Sequence, residues 1–151
     1  MRKLSAAAES FPIRGQFAIA RGARTESLVV AVTLTQGPAR GRGECVPYPR
    51  YDESADSVLA QIESVREAME AGCGRGELAA LLPAGAARNA LDCALWDLQA
   101  KVCGRRAWAL AGLPEPPVLI TAYTLSLDTP DAMGAAAKEQ AARPLLKVKL
   151  A

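Results

Sequence analysis

Short apolar segments alternate with turn residues over the first third of the chain. Three of these segments are rich in residues that favour extended structure: Gln16 to Ala20, Ser27 to Thr35 and Arg42 to Val46. They are separated by Arg21-Gly22-Ala23-Arg24 and by Gln36-Gly37-Pro38, both of which are typical of tight turns. The pattern predicts a three-stranded antiparallel meander.

A helical period takes over after the last of these segments. From Ser54, a good helix N-cap, apolar residues recur every three or four positions as far as Gly72, where a glycine typically ends a helix. A second helix is predicted from Ala86 to Val102, with Gly104 just beyond its end. The apolar stripes of the two helices consist of Val58, Ile62, Val65 and Met69, and of Leu91, Leu95, Leu98 and Val102. Strands followed by helices predict a compact α+β unit.

The same pattern predicts which side chains fill the interior of this unit. We expect Asp92 and Asp97 to lie on a solvated face or in a salt bridge with an arginine rather than to act in catalysis. Trp96 and Trp108 are expected to pack in the core rather than to hold a cofactor. The predicted core residues are Val30, Val32, Ile62, Val65, Leu91, Leu95 and Leu98.

A proline-rich linker, Leu113-Pro114-Glu115-Pro116-Pro117, marks the clearest boundary in the chain. After it, Val118 to Leu127 is predicted to form a strand, Pro130 to Ala142 a helix capped by Thr129, and Leu145 to Leu150 a second strand. This order is one βαβ unit, which implies that its two strands are parallel.

One βαβ unit is only the start of a barrel, because a closed (β/α)₈ barrel needs about 250 residues. We therefore predict a compact α+β domain over residues 1–113. Residues 114–151 are predicted to form the first βαβ unit of an incomplete TIM-type barrel.

Composition and charge narrow the functional classes. Half of the 151 residues are hydrophobic, so the chain can bury a core and is not a disordered tail. Eighteen basic and sixteen acidic residues give a net charge of +2, and the basic residues are scattered, which argues against a nucleic-acid partner. No apolar run approaches the roughly twenty residues of a membrane span, and the N-terminal residues do not resemble a signal peptide. We therefore expect a soluble, cytoplasmic protein with no membrane partner.

The chain contains four cysteines and no histidine. The cysteines form no CxxC pair, which argues against zinc sites, redox motifs and a disulfide framework. Without histidine there is no Ser-His or Cys-His nucleophile pair, so proton chemistry would rely on lysine, carboxylate, tyrosine or a metal-bound species. The cysteines are Cys45, Cys73, Cys93 and Cys103.

Two lysines stand out in the last predicted strand. Side chains alternate along a strand, so Lys147 and Lys149 share one face while Leu146, Val148 and Leu150 share the other. In a closed site, the charge of one ammonium group makes its neighbour easier to deprotonate, which suits abstraction of a carbon-bound proton. On the pattern alone, a half-exposed strand with both lysines in water is the simpler interpretation, because lysine is rarely buried.

Three segments resemble a known enzyme family. They are Gly43 to Tyr51, Leu82 to Leu98 and Leu146 to Leu150, and the match runs in register through nearly the whole chain. The family is the dipeptide epimerases of the enolase superfamily, in the muconate-lactonizing-enzyme subgroup. The resemblance implies an N-terminal α+β capping domain followed by a modified TIM barrel. It also implies inversion of the α-carbon of the C-terminal residue of a dipeptide such as L-Ala-D/L-Glu, by lysine-mediated 1,1-proton transfer.

The resemblance assigns roles to residues at the start of the barrel. Lys149 would be the acid/base on one face of the substrate α-carbon, and Lys147 would tune it electrostatically near the substrate carboxylate. Thr124, at the end of the first barrel strand, would contact the substrate. In the family, a carboxylate-bound Mg²⁺ stabilises an enediolate and a second lysine serves the opposite face. Those ligands and that lysine belong to strands that would follow Ala151, so we expect no metal ligand in this chain.

The resemblance also assigns two loops to the mouth of the site. The loop around Arg21 to Thr25, with Arg21 and Gly22, matches a mobile capping loop, in which Arg24 would pair bidentately with the side-chain carboxylate of a glutamyl substrate. The loop from Pro47 to Glu53 would close the other side of the mouth. Its residues expected to face the site are Tyr48, Arg50 and Tyr51. Without the family match, a surface arginine and structural turns explain these segments about as well.

Several alternatives stay open. Within the enzyme class they are a muconate cycloisomerase, an o-succinylbenzoate synthase and an N-acylamino acid racemase, which share the paired-lysine motif. Outside that class, the chain alone would be a non-catalytic capping-domain fragment or an interaction module. We expect the chain alone to be inactive, and its oligomeric state is left open, with a homo-oligomer as one option.

Overall fold

The computed structural model describes residues 1–19 and 22–150. Its N-terminal part is a sheet of three strands in the order β1-β2-β3, of which β2 and β3 are antiparallel. Their register runs from Val30 opposite Cys45 to Gln36 opposite Ala39, around a turn in which Gly37 has φ 56°. The strands are β1 (Arg2–Ile19), β2 (Gly22–Gln36) and β3 (Ala39–Cys45). The predicted antiparallel sheet is therefore confirmed.

Strand β1 begins much earlier than the sequence indicated. The prediction placed its start at Gln16, whereas the strand starts at Arg2. Its early part is anchored from the helical layer: the backbone N–H of Leu4 donates to the Glu70 carboxylate at 3.1 Å, and the Leu4 carbonyl accepts from Arg66 at 2.6 Å. Pairing with β2 and these tertiary bonds, rather than local propensity, account for the extra length.

Six helices follow or separate the strands in the described part of the chain. Ser54 caps the first helix through its side chain, as predicted, and Gly72 ends the second with φ 112°. The single helix predicted between them is broken at Val65 (φ −109°, ψ 7°), and a third, unpredicted helix follows. The helices are α1 (Ala55–Ser64), α2 (Arg66–Ala71), α3 (Arg75–Leu81), α4 (Ala86–Val102), α5 (Ala107–Leu110) and α6 (Pro130–Glu139).

The core lies between the sheet and the helices α1 to α4. All seven predicted core residues are buried, none being more than 6% exposed. Val102, the last residue of the predicted apolar stripe, is 52% exposed in the last turn of α4. Trp96 and Trp108, which were expected to pack in the core, are only half-buried. The Arg75 guanidinium lies over Trp96, 3.3 Å from the ring centroid, in a cation–π contact.

Helix α4 packs directly on the backbone of β3. Gly41 and Gly43 lie on the buried face of the strand, where side chains would otherwise hold the helix away. A β-carbon on Gly43 would overlap the carbonyl oxygen of Ala90, and one on Gly41 would lie 2.6 Å from the Leu98 Cβ. The two glycines therefore determine how closely the helix approaches the sheet.

The last part of the chain forms the predicted parallel strand pair around a helix. Strand β4 (Tyr123–Leu125) pairs with β5 (Leu146–Val148), and α6 begins at Pro130 with Thr129 as its side-chain cap. Both strands are shorter than predicted. The run starting at Val118 is apolar, but Val118 is fully exposed, so the run lacks the partner that would make it a strand.

The chain divides into two compact units that do not follow sequence order. One unit consists of Met1–Ser10 and Leu28–Glu115, and the other of Phe11–Ser27 and Pro116–Ala151. The tips of β1 and β2 therefore group with the βαβ segment. A backbone hydrogen bond within this unit joins β1 to the segment after β4: the Leu127 N–H donates to the Ala18 carbonyl at 3.1 Å.

Candidate functional site

The two parallel strands bring three of the predicted site residues together. Thr124 of β4 is the register partner of Lys147 in β5, so their side chains lie on the same side of the strand pair. Lys149 follows β5, and its backbone N–H donates to the Leu125 carbonyl at 3.3 Å, which extends the pairing by one bond. Lys147 is exposed, whereas Lys149 and Thr124 are half-buried. The described residues thus place one hydroxyl and one amine on paired parallel strands and a second amine just past the carboxyl end of β5.

Arg24 lies near the beginning of β2, in the same compact unit as the lysines. Its guanidinium lies over the ring of Phe17 in β1, 5.8 Å from the ring centroid. Gly22, the first residue of β2, has φ 141°, a backbone conformation that glycine adopts more readily than other residues. Arg21, the other residue assigned to this loop, lies outside the described residues.

The second predicted loop belongs to the other compact unit. Pro49–Tyr51 forms a single 3₁₀ turn, which ends at Asp52 with φ 56°. The Tyr48 and Tyr51 rings are 5.8 Å apart between centroids, and Tyr51 is 70% exposed. Arg50 is exposed. The loop thus presents two aromatic rings and a cation at the protein surface.

Glu53 connects this loop to helix α4. Its carboxylate accepts a hydrogen bond from the Tyr48 backbone N–H at 3.2 Å and another from the Ala86 backbone N–H at 2.7 Å. Ala86 is the first residue of α4, so the acidic group lies at the positive end of a long helix. Sequence reasoning missed Glu53, since its partner is far away along the chain. The tyrosines, Glu53 and the start of α4 line a cavity of about 500 Å³.

Cys45 forms part of the wall of this cavity and is the most perturbed thiol of the described chain. Burial raises the pKa of Cys45 from 9.0 to about 11, and the negative charges of Glu53 and Glu44 act in the same direction. A hydrogen bond to the Val30 carbonyl, with a sulfur to oxygen distance of 3.7 Å, opposes the shift without reversing it. The four cysteines are free thiols, and Cys45 is buried.

Asp97 of helix α4 lies in a salt bridge, which is one of the two settings predicted for it. Asp97 forms a 2.7 Å salt bridge with Lys101 and accepts from the Arg42 backbone N–H at 2.8 Å, so its partner is a lysine rather than the expected arginine. Burial acts to raise the pKa of Asp97, but these two hydrogen bonds outweigh it and hold the pKa below its usual value. Asp92 is half-buried.

Two further observations concern metals and membranes. Within residues 1–19 and 22–150, no three histidine, cysteine or acidic side chains are grouped closely enough to hold a metal ion. The residues present therefore do not fit a carboxylate-bound Mg²⁺ site. None of the helices in that part of the chain has the length and apolar character needed to cross a bilayer.

Comparison with known proteins identifies the family. The mandelate racemase / muconate lactonizing enzyme N-terminal domain profile matches residues 1–112, so the chain belongs to this family. The fold agrees, because the family match covers the antiparallel sheet and helices and is followed by the parallel strand pair.

Particular relatives include an epimerase and a racemase. The chain is 50% identical to the L-Ala-D/L-Glu epimerase of Escherichia coli over 152 residues, which cover 99% of this chain and 47% of that protein. It is 43% identical to the N-acetyl-D-glutamate racemase of a Pseudoalteromonas species, over 81% of this chain and 39% of that protein. The chain thus spans about half the length of the curated relatives that it matches.

Solved structures are similar to this chain as well. An enolase family member from Agrobacterium tumefaciens, with homology to dipeptide epimerases and with bound sodium and L-Ala-L-Glu, superposes with a TM-score of 0.91 at 51% identity. The match covers 99% of this chain and 46% of that protein. Dipeptide epimerases from Methylococcus capsulatus and other sources were solved as complexes with Mg and a dipeptide.

Proposed function

We propose that this chain supplies the N-terminal part of a dipeptide epimerase that acts on dipeptides with a C-terminal glutamyl residue. The observation that carries the proposal is the pairing of Thr124 with Lys147 in two parallel strands, with Lys149 just past the carboxyl end of β5. Active sites of (β/α) barrels lie at this end of the strands. The identity of 50% with an L-Ala-D/L-Glu epimerase over nearly the whole chain supports the same reaction.

In this proposal Lys149 acts as the base. Its neutral amine takes the proton from the substrate α-carbon, so that a C–H bond breaks, an N–H bond forms, and the electron pair passes to the adjacent carboxylate group. Lys147 precedes Lys149 by two residues, and in this proposal its charge would tune this amine and attract the substrate carboxylate. Because no cluster of metal ligands is present among the described residues, we derive no step through a metal.

Arg24 would select the substrate. It is exposed, and its planar guanidinium can accept a carboxylate in two parallel hydrogen bonds. The segment that carries it, Phe11–Ser27, groups with the strand pair in one compact unit. A glutamyl side chain has the charge and the two oxygens that such a group recognises.

The proposal can be tested with a hybrid enzyme. The chain is joined to the part of the E. coli relative that follows the matched 152 residues, and solvent deuterium incorporation into L-Ala-L-Glu is followed by NMR. We expect exchange at the α-carbon of the glutamyl residue, with inversion. A folded hybrid that exchanges no dipeptide α-proton would contradict the proposal. The 151-residue chain is the matched comparison, and we expect it to give no Mg²⁺-dependent exchange, because its described residues contain no cluster of metal ligands.

A second candidate reaction is racemisation of an N-acylated amino acid. It is favoured by the 43% identity with the N-acetyl-D-glutamate racemase over 129 residues. Both substrates carry a glutamyl side chain, so Arg24 would serve either one. Giving the hybrid N-acetyl-L-glutamate and L-Ala-L-Glu in separate assays, and comparing kcat/KM, distinguishes the two reactions. A preference for the acylated amino acid would move the assignment to the racemase.

A further inference from the structure

Arg24 has an aromatic neighbour but no polar partner among the described residues. Its guanidinium carbon lies 5.8 Å from the centroid of the Phe17 ring, within the range of a cation–π interaction. Phe17 is half-buried, and Arg24 is exposed. No hydrogen bond or ion pair within the described chain occupies the N–H groups of Arg24. The cation is thus held from one side while its hydrogen-bond donors stay available.

The strand that carries Phe17 is itself fixed to the strand pair. The next residue, Ala18, accepts a hydrogen bond from the backbone N–H of Leu127 at 3.1 Å. Leu127 follows β4, the strand that carries Thr124. The residue after Phe17 is therefore hydrogen-bonded to the segment that follows β4, at the end of the strand where the proposed chemistry takes place.

We infer that Phe17 is a positioning residue that sets the selectivity for acidic dipeptides through Arg24. This inference rests on the proposed function. A long arginine side chain at an exposed position loses considerable rotamer freedom when it binds an anion. The face of an aromatic ring attracts the cation before the substrate arrives, and the N–H groups of a guanidinium lying over a ring point outward for bidentate binding. Phe17 thereby lowers the entropy that Arg24 loses on binding the glutamyl carboxylate.

The test compares a charged substrate with its neutral isostere. In the hybrid enzyme, KM and kcat are measured for L-Ala-L-Glu and for L-Ala-L-Gln. We expect Phe17→Leu to raise KM for L-Ala-L-Glu by about two- to fivefold, with kcat and the L-Ala-L-Gln parameters unchanged. Phe17→Tyr keeps the aromatic face, so its KM for L-Ala-L-Glu should equal that of the parent enzyme. Phe11→Leu is the matched control, because Phe11 is an exposed aromatic residue of the same strand.

A double-mutant cycle separates positioning from a structural effect. The quantity compared is the ratio of kcat/KM for L-Ala-L-Glu to kcat/KM for L-Ala-L-Gln. If Phe17 acts through Arg24, Phe17→Leu has no further effect on this ratio in an Arg24→Gln background. If Phe17→Leu instead lowers kcat/KM equally for both substrates, and does so in the Arg24→Gln background as well, Phe17 is merely structural and the inference is overturned. An unchanged ratio in Phe17→Leu, when Arg24→Gln does change it, would overturn it as well.

Binding measured by calorimetry distinguishes failure of this inference from failure of the proposed function. If the hybrid binds L-Ala-L-Glu with an affinity that falls in both Arg24→Gln and Phe17→Leu but exchanges no α-proton, the role of Phe17 stands and the proposed reaction is wrong. If it exchanges α-protons and Phe17→Leu leaves the ratio unchanged, the reaction stands and the role of Phe17 is wrong. If it neither binds nor exchanges, both are wrong.

Discussion

The carboxylate of Glu53 accepts a hydrogen bond from the backbone N–H of Ala86 at 2.7 Å and so connects the tyrosine loop to the first turn of α4. A second bond from the Tyr48 N–H, at 3.2 Å, completes the connection. One acidic side chain thus satisfies donors from a helix end and from a loop that would otherwise have only water as a partner.

Replacing Glu53 should therefore destabilise the domain. We expect Glu53→Ala to lower the free energy of unfolding by about 1–2 kcal/mol, because two backbone donors and a favourable charge at the helix N-terminus lose their partner. Glu53→Gln keeps an acceptor and should cost less. Urea denaturation followed by circular dichroism measures the difference. Glu67→Ala, at an exposed acidic residue of α2, is the control and should change stability by less than about 0.5 kcal/mol.

The contact between β3 and α4 predicts a larger effect. A methyl group on Gly43 would overlap the Ala90 carbonyl, which belongs to a helix backbone that cannot move alone. We expect Gly43→Ala to cost about 3 kcal/mol or more and to lower the melting temperature sharply. Gly76→Ala in α3 meets no atom within 4 Å and should instead be neutral or slightly stabilising. Equal melting temperatures for the two variants would contradict the close approach seen in the structure.

Cys45 predicts a loss of stability at alkaline pH. The folded protein holds the thiol pKa near 11, whereas the thiol of the unfolded chain titrates near 9.0. Between these values the folded state binds more protons than the unfolded state, so the free energy of unfolding falls as pH rises above about 9. The contribution of Cys45 to this fall is on the order of 2 kcal/mol by pH 11.

The measurement compares the pH dependence of variants rather than their absolute stability. Cys45→Ala leaves a small cavity at every pH, but it should show a shallower decline than the parent between pH 8 and pH 10.5 in urea denaturation. Burial also raises the pKa of Cys73 and of Cys93, so part of the decline should remain. Cys103→Ala, at an exposed cysteine, serves as the comparison. A decline identical to that of the parent would show that Cys45 titrates normally.

The two lysines should differ in their effect on turnover. In the hybrid enzyme, we expect Lys149→Ala to lower the rate of α-proton exchange by about 10²–10⁴-fold or more, because the proposed base is lost. Lys147→Ala should leave a measurable, reduced rate, since it acts on the base and the substrate carboxylate electrostatically. Lys138→Ala, at an exposed lysine of α6, is the control. A near-normal exchange rate in Lys149→Ala would show that Lys149 is not the base.

The sequence predicts α4 with correct bounds and α1 and α6 with correct caps, because an apolar stripe of helical period and a capping residue are local signals. It fails where tertiary partners decide the outcome. Val118 to Ile120 is as apolar as a strand, but these residues are exposed and form no pairs in the described chain. The start of β1 carries weak strand propensity and is extended because β2 and Arg66 bind it.

The candidate site shows the same division between local and distant signals. The alternation that puts Lys147 and Lys149 on one face can be read from the sequence, whereas the half-buried state of one and the exposure of the other depend on surrounding elements. The register of Thr124 with Lys147 needs the strand pairing. Glu53 was missed because 33 residues separate it from its partner in α4. The contact between Phe17 in β1 and Arg24 in β2 likewise depends on the pairing of these two strands.

The grouping of Phe11–Ser27 with the βαβ segment has a consequence for limited proteolysis. The chain passes between the two compact units three times, at Ser10, at Ser27 and at Glu115, rather than once at the proline-rich linker. A protease that cuts only that linker would release no free fragment under native conditions, because the C-terminal piece stays bound to residues of the N-terminal piece through contacts such as Leu127 to Ala18. We expect the nicked halves to elute together in gel filtration and to separate only in denaturant.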